Sequence, residues 1–350
     1  MSGPGNPLDA ANKASSAAAI SSIVYPIAGI LTTVYGLDEL PQNVQEIACL
    51  WLLHPRLQTQ ASMAPLAAQA IHHWNSKRGG RSKGLIAVSF DQRNHGSRQI
   101  DKMANEAWRQ GNARHAQDMF SVYQGTAQDT SLLLTHLPSY LPHHLPIPRQ
   151  NLALGISLGG HSVWHCLLSD PRITTGVVII GCPDFTRLMC QRAEKSRLKT
   201  WGSNFIGSPD FPPALVNAIV VSDPAGLLLP FEYKAPRNLQ ADEILEPTSN
   251  AKAQHAKVLD VTLKNKNILN LSGGADKLVP YSMSEPFLRF LKRAISPEGW
   301  WGDNGLVLDD RIFEGVGHES TPAMNAAAVS FITDALAGDV GRKGVRESRI

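Results

Sequence analysis

Charge is scarce in this chain, and its cysteines show no pairing. Asp, Glu, Lys and Arg make up only 18% of the 350 residues and sum to +3. No basic stripe interleaved with aromatics occurs, so an extended nucleic-acid surface is excluded. Cys49, Cys166, Cys182 and Cys190 are scattered, three of them inside apolar runs, without the Cys-x-x-Cys spacing of a zinc or redox centre. Free, buried thiols in a reducing compartment are the expectation. An uninterrupted apolar span is also lacking. Residues 14–36 carry no charge, but serines, threonines, Pro26 and two glycines interrupt them and only Lys13 supplies a positive charge ahead of them. Neither a membrane helix nor a compact signal core fits that pattern. Residues 1–19 are therefore expected to be a disordered tail, followed by strands near 20–25 and 30–35. Repeats and low-complexity blocks are absent beyond the Ala/Ser-rich start.

What is present is 43% hydrophobic residues, enough for a large core. Unbroken apolar runs of strand length lie at 47–53, 84–90, 152–155, 175–180, 267–271 and 306–313. Between them fall helical patterns at 63–74, 113–134, 161–169, 283–294 and 322–336. Strands of this kind, separated by helices, predict an α/β fold with a mostly parallel central sheet and helices on both faces. The rhythm fails over 183–264, where helical pieces, proline-rich joints and no clear strand predict a lid inserted between a first core segment (20–182) and a second (265–336). Residues 337–350 read as a mobile polar tail.

One short stretch carries the chemistry. The apolar run at 152–155 leads into Gly155-Ile156-Ser157-Leu158-Gly159-Gly160, and a helical pattern follows. The glycines stand two positions either side of Ser157, where a sharp strand-to-helix turn crowds the backbone. Such a turn exposes the serine hydroxyl and puts the Leu158 N–H at a helix start, aimed at a developing oxyanion. A serine hydroxyl is a weak nucleophile at neutral pH, so it needs an imidazole beside it and a carboxylate behind the imidazole. Asp276 follows the run at 267–271, and His318 follows the run ending at Phe313. C-terminal loops of neighbouring parallel strands converge on one edge of a sheet, so the three can meet.

These motifs together resemble the α/β-hydrolase superfamily, over roughly 47–336 apart from the insertion. Gly155 to Gly160 is similar to its nucleophile elbow, Gly274-Ala275-Asp276-Lys277-Leu278-Val279-Pro280 to its acid loop, and Gly317-His318-Glu319 to its histidine loop, in the family's order Ser, Asp, His. Phe90-Asp91-Gln92-Arg93-Asn94-His95-Gly96-Ser97 resembles the Asp-x-Arg-x-His-Gly loop. The resemblance implies Ser157 as nucleophile, His318 as base, Asp276 as orienting acid, and an oxyanion hole formed by the Leu158 N–H and a second donor. That second donor lies where the family reads His-Gly and this chain reads His54-Pro55-Arg56-Leu57. Proline has no N–H, so the role passes to Arg56, or else to Leu57.

Other residues have competing readings. Asp184 is the alternative acid, and otherwise a helix cap of the insertion. His95 reads as structural. His161 and His165, spaced i, i+4, lack a glutamate and a third ligand for a metal site and read as packing residues. Within the insertion, Trp201, Phe205, Phe211 and Phe231 are the candidate substrate pocket, which would suit an acyl or aromatic group. The expected activity is hydrolysis of a carboxylic ester or thioester of a small or acyl substrate through an acyl-enzyme. An amidase or peptidase on the same triad is one alternative, and a weak or inactive hydrolase-fold binding protein is the other, with Pro55 as its best support. No cofactor, metal, nucleic acid or membrane span is expected, and the oligomeric state is open. Cytoplasm is the default location. The terminal Ser348, Arg349 and Ile350 resemble a variant of the Ser-Lys-Leu address, which makes the peroxisome the alternative.

Overall fold

The structure is a computed structural model and describes residues 5–14, 17–77, 79–202, 204–229, 247–302 and 304–340. The expected pocket residue Phe231 and the terminal Ser348, Arg349 and Ile350 lie outside the described residues.

Among the described residues eight strands form one sheet: β1 (Ser22–Ile27), β2 (Ile30–Tyr35), β3 (Glu46–Leu53), β4 (Lys83–Phe90), β5 (Gln150–Ile156), β6 (Ile173–Ile179), β7 (Asn267–Gly273) and β8 (Val307–Phe313). Their spatial order is β1-β2-β4-β3-β5-β6-β7-β8. Only β2 runs antiparallel to its neighbours β1 and β4; β3 to β8 are parallel to one another. The β1–β2 hairpin turns on two residues of positive φ, Ala28 (48°) and Gly29 (79°), the sense of turn that matches strand twist. From β3 the chain goes outward to β4 and returns past β3 to β5. The sheet therefore changes direction between β3 and β5, which opens a crevice beyond their C-terminal ends.

Both faces of the sheet are covered, as the unbroken apolar strands require. Along β3, Cys49, Trp51 and Leu53 enter one buried cluster, while Ala48, Leu50 and Leu52 enter the other. The second face carries α2 (Ala64–Lys77) and α10 (Pro322–Ala337). The first carries the C-terminal half of α3 (His115–His136), with α4 (Leu158–Ser169), α8 (Ser249–Thr262) and α9 (Tyr281–Ile295). None of the described helices is long and apolar enough to cross a membrane.

Two expectations change. The stretch 1–19, expected to be disordered, contains α1 (Asp9–Ala14), because Leu8 and Ala11 are apolar residues that find burial, Leu8 within the second-face core. The stretch 183–264 does not behave as one unit. Its first part, α5 (Phe185–Ser196) and α6 (Pro213–Ser222), builds a separate apolar cluster with the N-terminal half of α3. Its later part, α7 (Pro224–Leu228) and α8, places Leu228, Leu229, Leu259 and Leu263 in the first-face core, where they cover the sheet itself.

Candidate active site

Ser157 sits between β5 and α4 with φ 53° and ψ −109°, a backbone conformation that costs a non-glycine residue on the order of 1–3 kcal/mol. The surrounding glycines make that turn possible. A Cβ on Gly155 would collide with the Gly159 carbonyl, and one on Gly159 with the carbonyl of Leu53 on β3. The Ser157 N–H donates to the Ile179 carbonyl at 2.9 Å, and its own carbonyl accepts from His161 N at 3.0 Å. Backbone bonds to β6 and α4 thus fix the strained residue.

His318 follows β8 and Asp276 follows β7. The Ser157 hydroxyl donates to His318 Nε2 at 2.8 Å, and His318 Nδ1 lies 2.7 Å from Asp276 Oδ2. A carboxylate beside Nδ1 fixes the proton there and leaves the Nε2 lone pair facing the serine. The other carboxylate oxygen, Oδ1, accepts from the N–H groups of Leu278 (2.8 Å) and Val279 (2.9 Å). Burial pushes the Asp276 carboxyl up, but the bond to His318 and these two amides outweigh it and hold the group below the usual carboxylate range. Asp184, the rival acid, is engaged elsewhere: it caps α5 by accepting from Arg187 N at 2.9 Å and pairs with Arg187 Nε at 3.4 Å.

The loop after β3 is held as firmly. His54 is buried, its Nε2 accepts from Gln92 N at 3.0 Å, and its Nδ1 therefore donates to the Pro55 carbonyl at 2.8 Å. The Gln92 side chain bridges the His54 carbonyl and Ser162 of α4. Asp91 ties the same region to Gln60 and Ser97, and Arg93 and Arg98 share Asp129. His95 is buried beside His54, with Nδ1 against the Arg93 carbonyl. Among the described residues neither the Arg56 N–H nor the Leu158 N–H meets an acceptor. Both amide donors are therefore unspent, and Pro55 has none to offer.

His161 and His165 line the inner side of α4. His161 stacks on Tyr123 with ring centroids 4.6 Å apart and accepts from Cys182 N at 2.9 Å through Nδ1. His165 lies 3.9 Å from Asp223. Burial pushes His161 down to about 3 and His165 to about 4, so both are neutral packing residues. No metal-binding cluster of His, Cys, Asp or Glu occurs among the described residues.

The expected aromatic pocket is not where the sequence suggested. Phe205 and Phe211 are fully buried, packed on each other (5.1 Å) and on Trp108 and Phe185, because helices lying off the sheet need an apolar core of their own. Trp201 is 51% exposed. The cavity that reaches His318 has a volume of about 490 Å³, and none of these three lines it. Its wall instead carries Arg56, Arg109, Arg192, Lys195 and Lys277, beside Trp108 and His115. These residues come from the loop after β3, the turn preceding α3, α5 and the loop after β7. Only position 56 stood out in the sequence, and then for its backbone. Scattered cations carry no spacing signal, so folding alone reveals their convergence.

No protein-family model matches this sequence, and no curated protein matches it. Solved structures do. A Thermus thermophilus protein, TT1662, superposes with a TM-score of 0.51 at 16% identity, covering 90% of this chain and 97% of its own. An acylaminoacyl peptidase from Pyrococcus horikoshii also gives 0.51, at 11% identity, over 93% of this chain but 42% of its own length. At these identities the likeness is one of fold.

Proposed function

The chain has the α/β-hydrolase fold, and from it we propose a serine hydrolase that cleaves a carboxylic ester or thioester through an acyl-enzyme. The observation that carries this reading is the unbroken chain from Ser157 Oγ to His318 Nε2 (2.8 Å) and from His318 Nδ1 to Asp276 (2.7 Å). Ser157 Oγ attacks the substrate carbonyl while its proton passes to His318 Nε2. Asp276 stabilises the imidazolium and keeps the ring in place. The N–H groups of Leu158 and Arg56 hold the tetrahedral oxyanion; loss of one such donor costs roughly 3–4 kcal/mol elsewhere. The intermediate collapses, His318 returns the proton to the leaving alkoxide or thiolate, and the acyl group remains on Ser157. Water then attacks with His318 as base, which releases the acid and restores the serine.

The free Arg56 N–H favours catalysis over the binding-only reading that Pro55 invites. A fluorophosphonate probe separates the two: the wild type is labelled covalently and Ser157→Ala is not. Folded wild type that resists the probe would sink the hydrolase reading. The same triad also cleaves amides, so nitrophenyl esters and the matching anilides, run side by side, decide between esterase and amidase.

A further inference from the structure

We propose that the cavity beside His318 is an anion subsite, in which the guanidinium groups of Arg56 and Arg192 bind a carboxylate or phosphate carried by the substrate. The proposal rests on the hydrolase reading for its substrate, but not for its anion. Among the described residues five cationic side chains line the cavity and no Asp or Glu does. Arg56 donates through Nη1 to the Asn105 carbonyl at 2.5 Å, and Arg192 donates through Nη1 to His115 Nε2 at 3.3 Å. Neither forms an ion pair among the described residues. Arg192 Nε is shut off from solvent and finds no acceptor among the described residues, and the neighbouring Tyr123 hydroxyl is likewise buried without a partner among them.

Such an arrangement is costly for a protein with nothing to bind. Burial, and next to it the charge of Arg192, pushes the Arg56 guanidinium below its ordinary value; Glu106 offsets this only in part and from a distance. Two partly buried cations repel one another where water screens poorly, and an anion between them reverses the sign of that interaction. Guanidinium forks suit the paired oxygens of carboxylate or phosphate. His115 acts as a positioning residue. Its Nδ1 donates to the Glu106 carbonyl at 2.8 Å, and burial together with Arg192 and Arg56 pushes it down to about 3, so neutral Nε2 is free to accept from Arg192. At the rim Lys195 donates to the Lys277 carbonyl at 2.7 Å, and Arg109 donates to the Lys195 carbonyl, which arrays exposed cations around the partly buried pair. These draw an anion towards the mouth of the cavity.

The test compares matched esters. Mono-4-nitrophenyl glutarate against its methyl ester puts the charge on the acyl side. 4-Acetoxybenzoate against its methyl ester, and 4-acetoxyphenyl phosphate against 4-acetoxyanisole, put a carboxylate or a phosphate on the leaving group. In at least one pair the anionic ester should lead in kcat/KM by about tenfold or more, mostly through KM. Arg192→Gln should bring the ratio near one, and Arg192→Lys should keep part of it. In the wild type the lead should shrink several-fold as salt rises through the range where the screening length falls below about 10 Å, a readout that needs no variant. A neutral preference in every pair, or a ratio that neither salt nor Arg192→Gln changes, overturns the proposal. Calorimetric titration of glutarate and of inorganic phosphate into Ser157→Ala keeps the two readings apart. Saturable binding that the further change Arg192→Gln abolishes upholds the subsite even if no ester is turned over. Absence of binding together with intact fluorophosphonate labelling removes the subsite and leaves the hydrolase.

Discussion

The two sides of the crevice are built on different principles. On the sheet side, Ser157, Asp276 and His318 stand at the ends of β5, β7 and β8, and main-chain groups fix the first two: the Ile179 carbonyl and His161 N–H around the serine, the Leu278 and Val279 N–H groups around the carboxylate. On the cap side, the cationic wall is assembled from α5, the turn preceding α3 and the loops carrying Arg56 and Lys277, and side chains hold it. The first side is organised by main-chain geometry that tolerates no Cβ at Gly155 or Gly159. The second depends on an apolar cluster of Trp108, Phe185, Phe205 and Phe211, which fixes where α5 lies and hence where Arg192 points. The proposed hydrolase reading assigns the chemistry to the rigid side and discrimination between substrates to the side that packing sets.

The largest expected effect falls on the sheet side. Asp276→Asn keeps the side chain's shape but removes the charge that stabilises imidazolium and offers an amide N–H toward Nδ1, which favours the wrong tautomer. Turnover of a nitrophenyl ester should fall roughly 10⁴-fold with the fold unchanged by circular dichroism. A loss below tenfold would mean that the serine and histidine work without their carboxylate, and the sheet side would lose its claim to act as a unit.

The cap side answers to packing. Phe205→Ala removes a ring that touches Trp108 and Phe211 at centroid distances of 5.8 and 5.1 Å, and should cost about 3–5 kcal/mol in urea unfolding. An unchanged unfolding midpoint joined to a new acyl-chain selectivity would return Phe205 to the substrate pocket, where the sequence had put it.

That contrast also explains what could be read beforehand. Strand and helix positions were legible because parallel strands buried on both faces are continuous apolar runs, as at 47–53 and 84–90. Ser157, Asp276 and His318 were legible as candidates because each follows such a run within a short motif. The cap was misread for a physical reason. Phe205 and Phe211 are apolar whether they line a pocket or close a core, and composition cannot separate the two. Arg192 and Lys195 look like ordinary solvated residues on the helical pattern after Asp184, and only the tertiary approach of Arg56 gives them a common target. The start of the chain was misjudged similarly, since Leu8 and Ala11 show no periodicity until the core offers them a site.

Acid should load both sides at once, by the smallest increments. His54 serves the loop after β3, His161 and His165 lie under the elbow, and His115 belongs to the cap; burial pushes them to about 4, 3, 4 and 3 respectively. Each folded-state value lies below the unfolded one near 6.5, so the unfolded chain binds more protons as pH drops. Their stabilisation is complete above about pH 6.5 and is lost as pH falls towards the folded values, at up to about 1.4 kcal/mol per pH unit for each imidazole. Asp91 and Asp276 sit below the usual carboxylate range because hydrogen bonds outweigh the burial that pushes them up, so their contribution is lost only at lower pH. Urea unfolding between about pH 6.5 and 4.5 therefore reads the imidazoles. His115→Gln should flatten that slope by one proton's worth. If tryptophan fluorescence, to which all seven tryptophans contribute, shifts before far-ultraviolet circular dichroism in the wild type but not in this variant, tertiary packing coupled to His115 loosens before the helices and strands melt. Coincident transitions in both would show that the cap and the sheet, however differently built, fold as one.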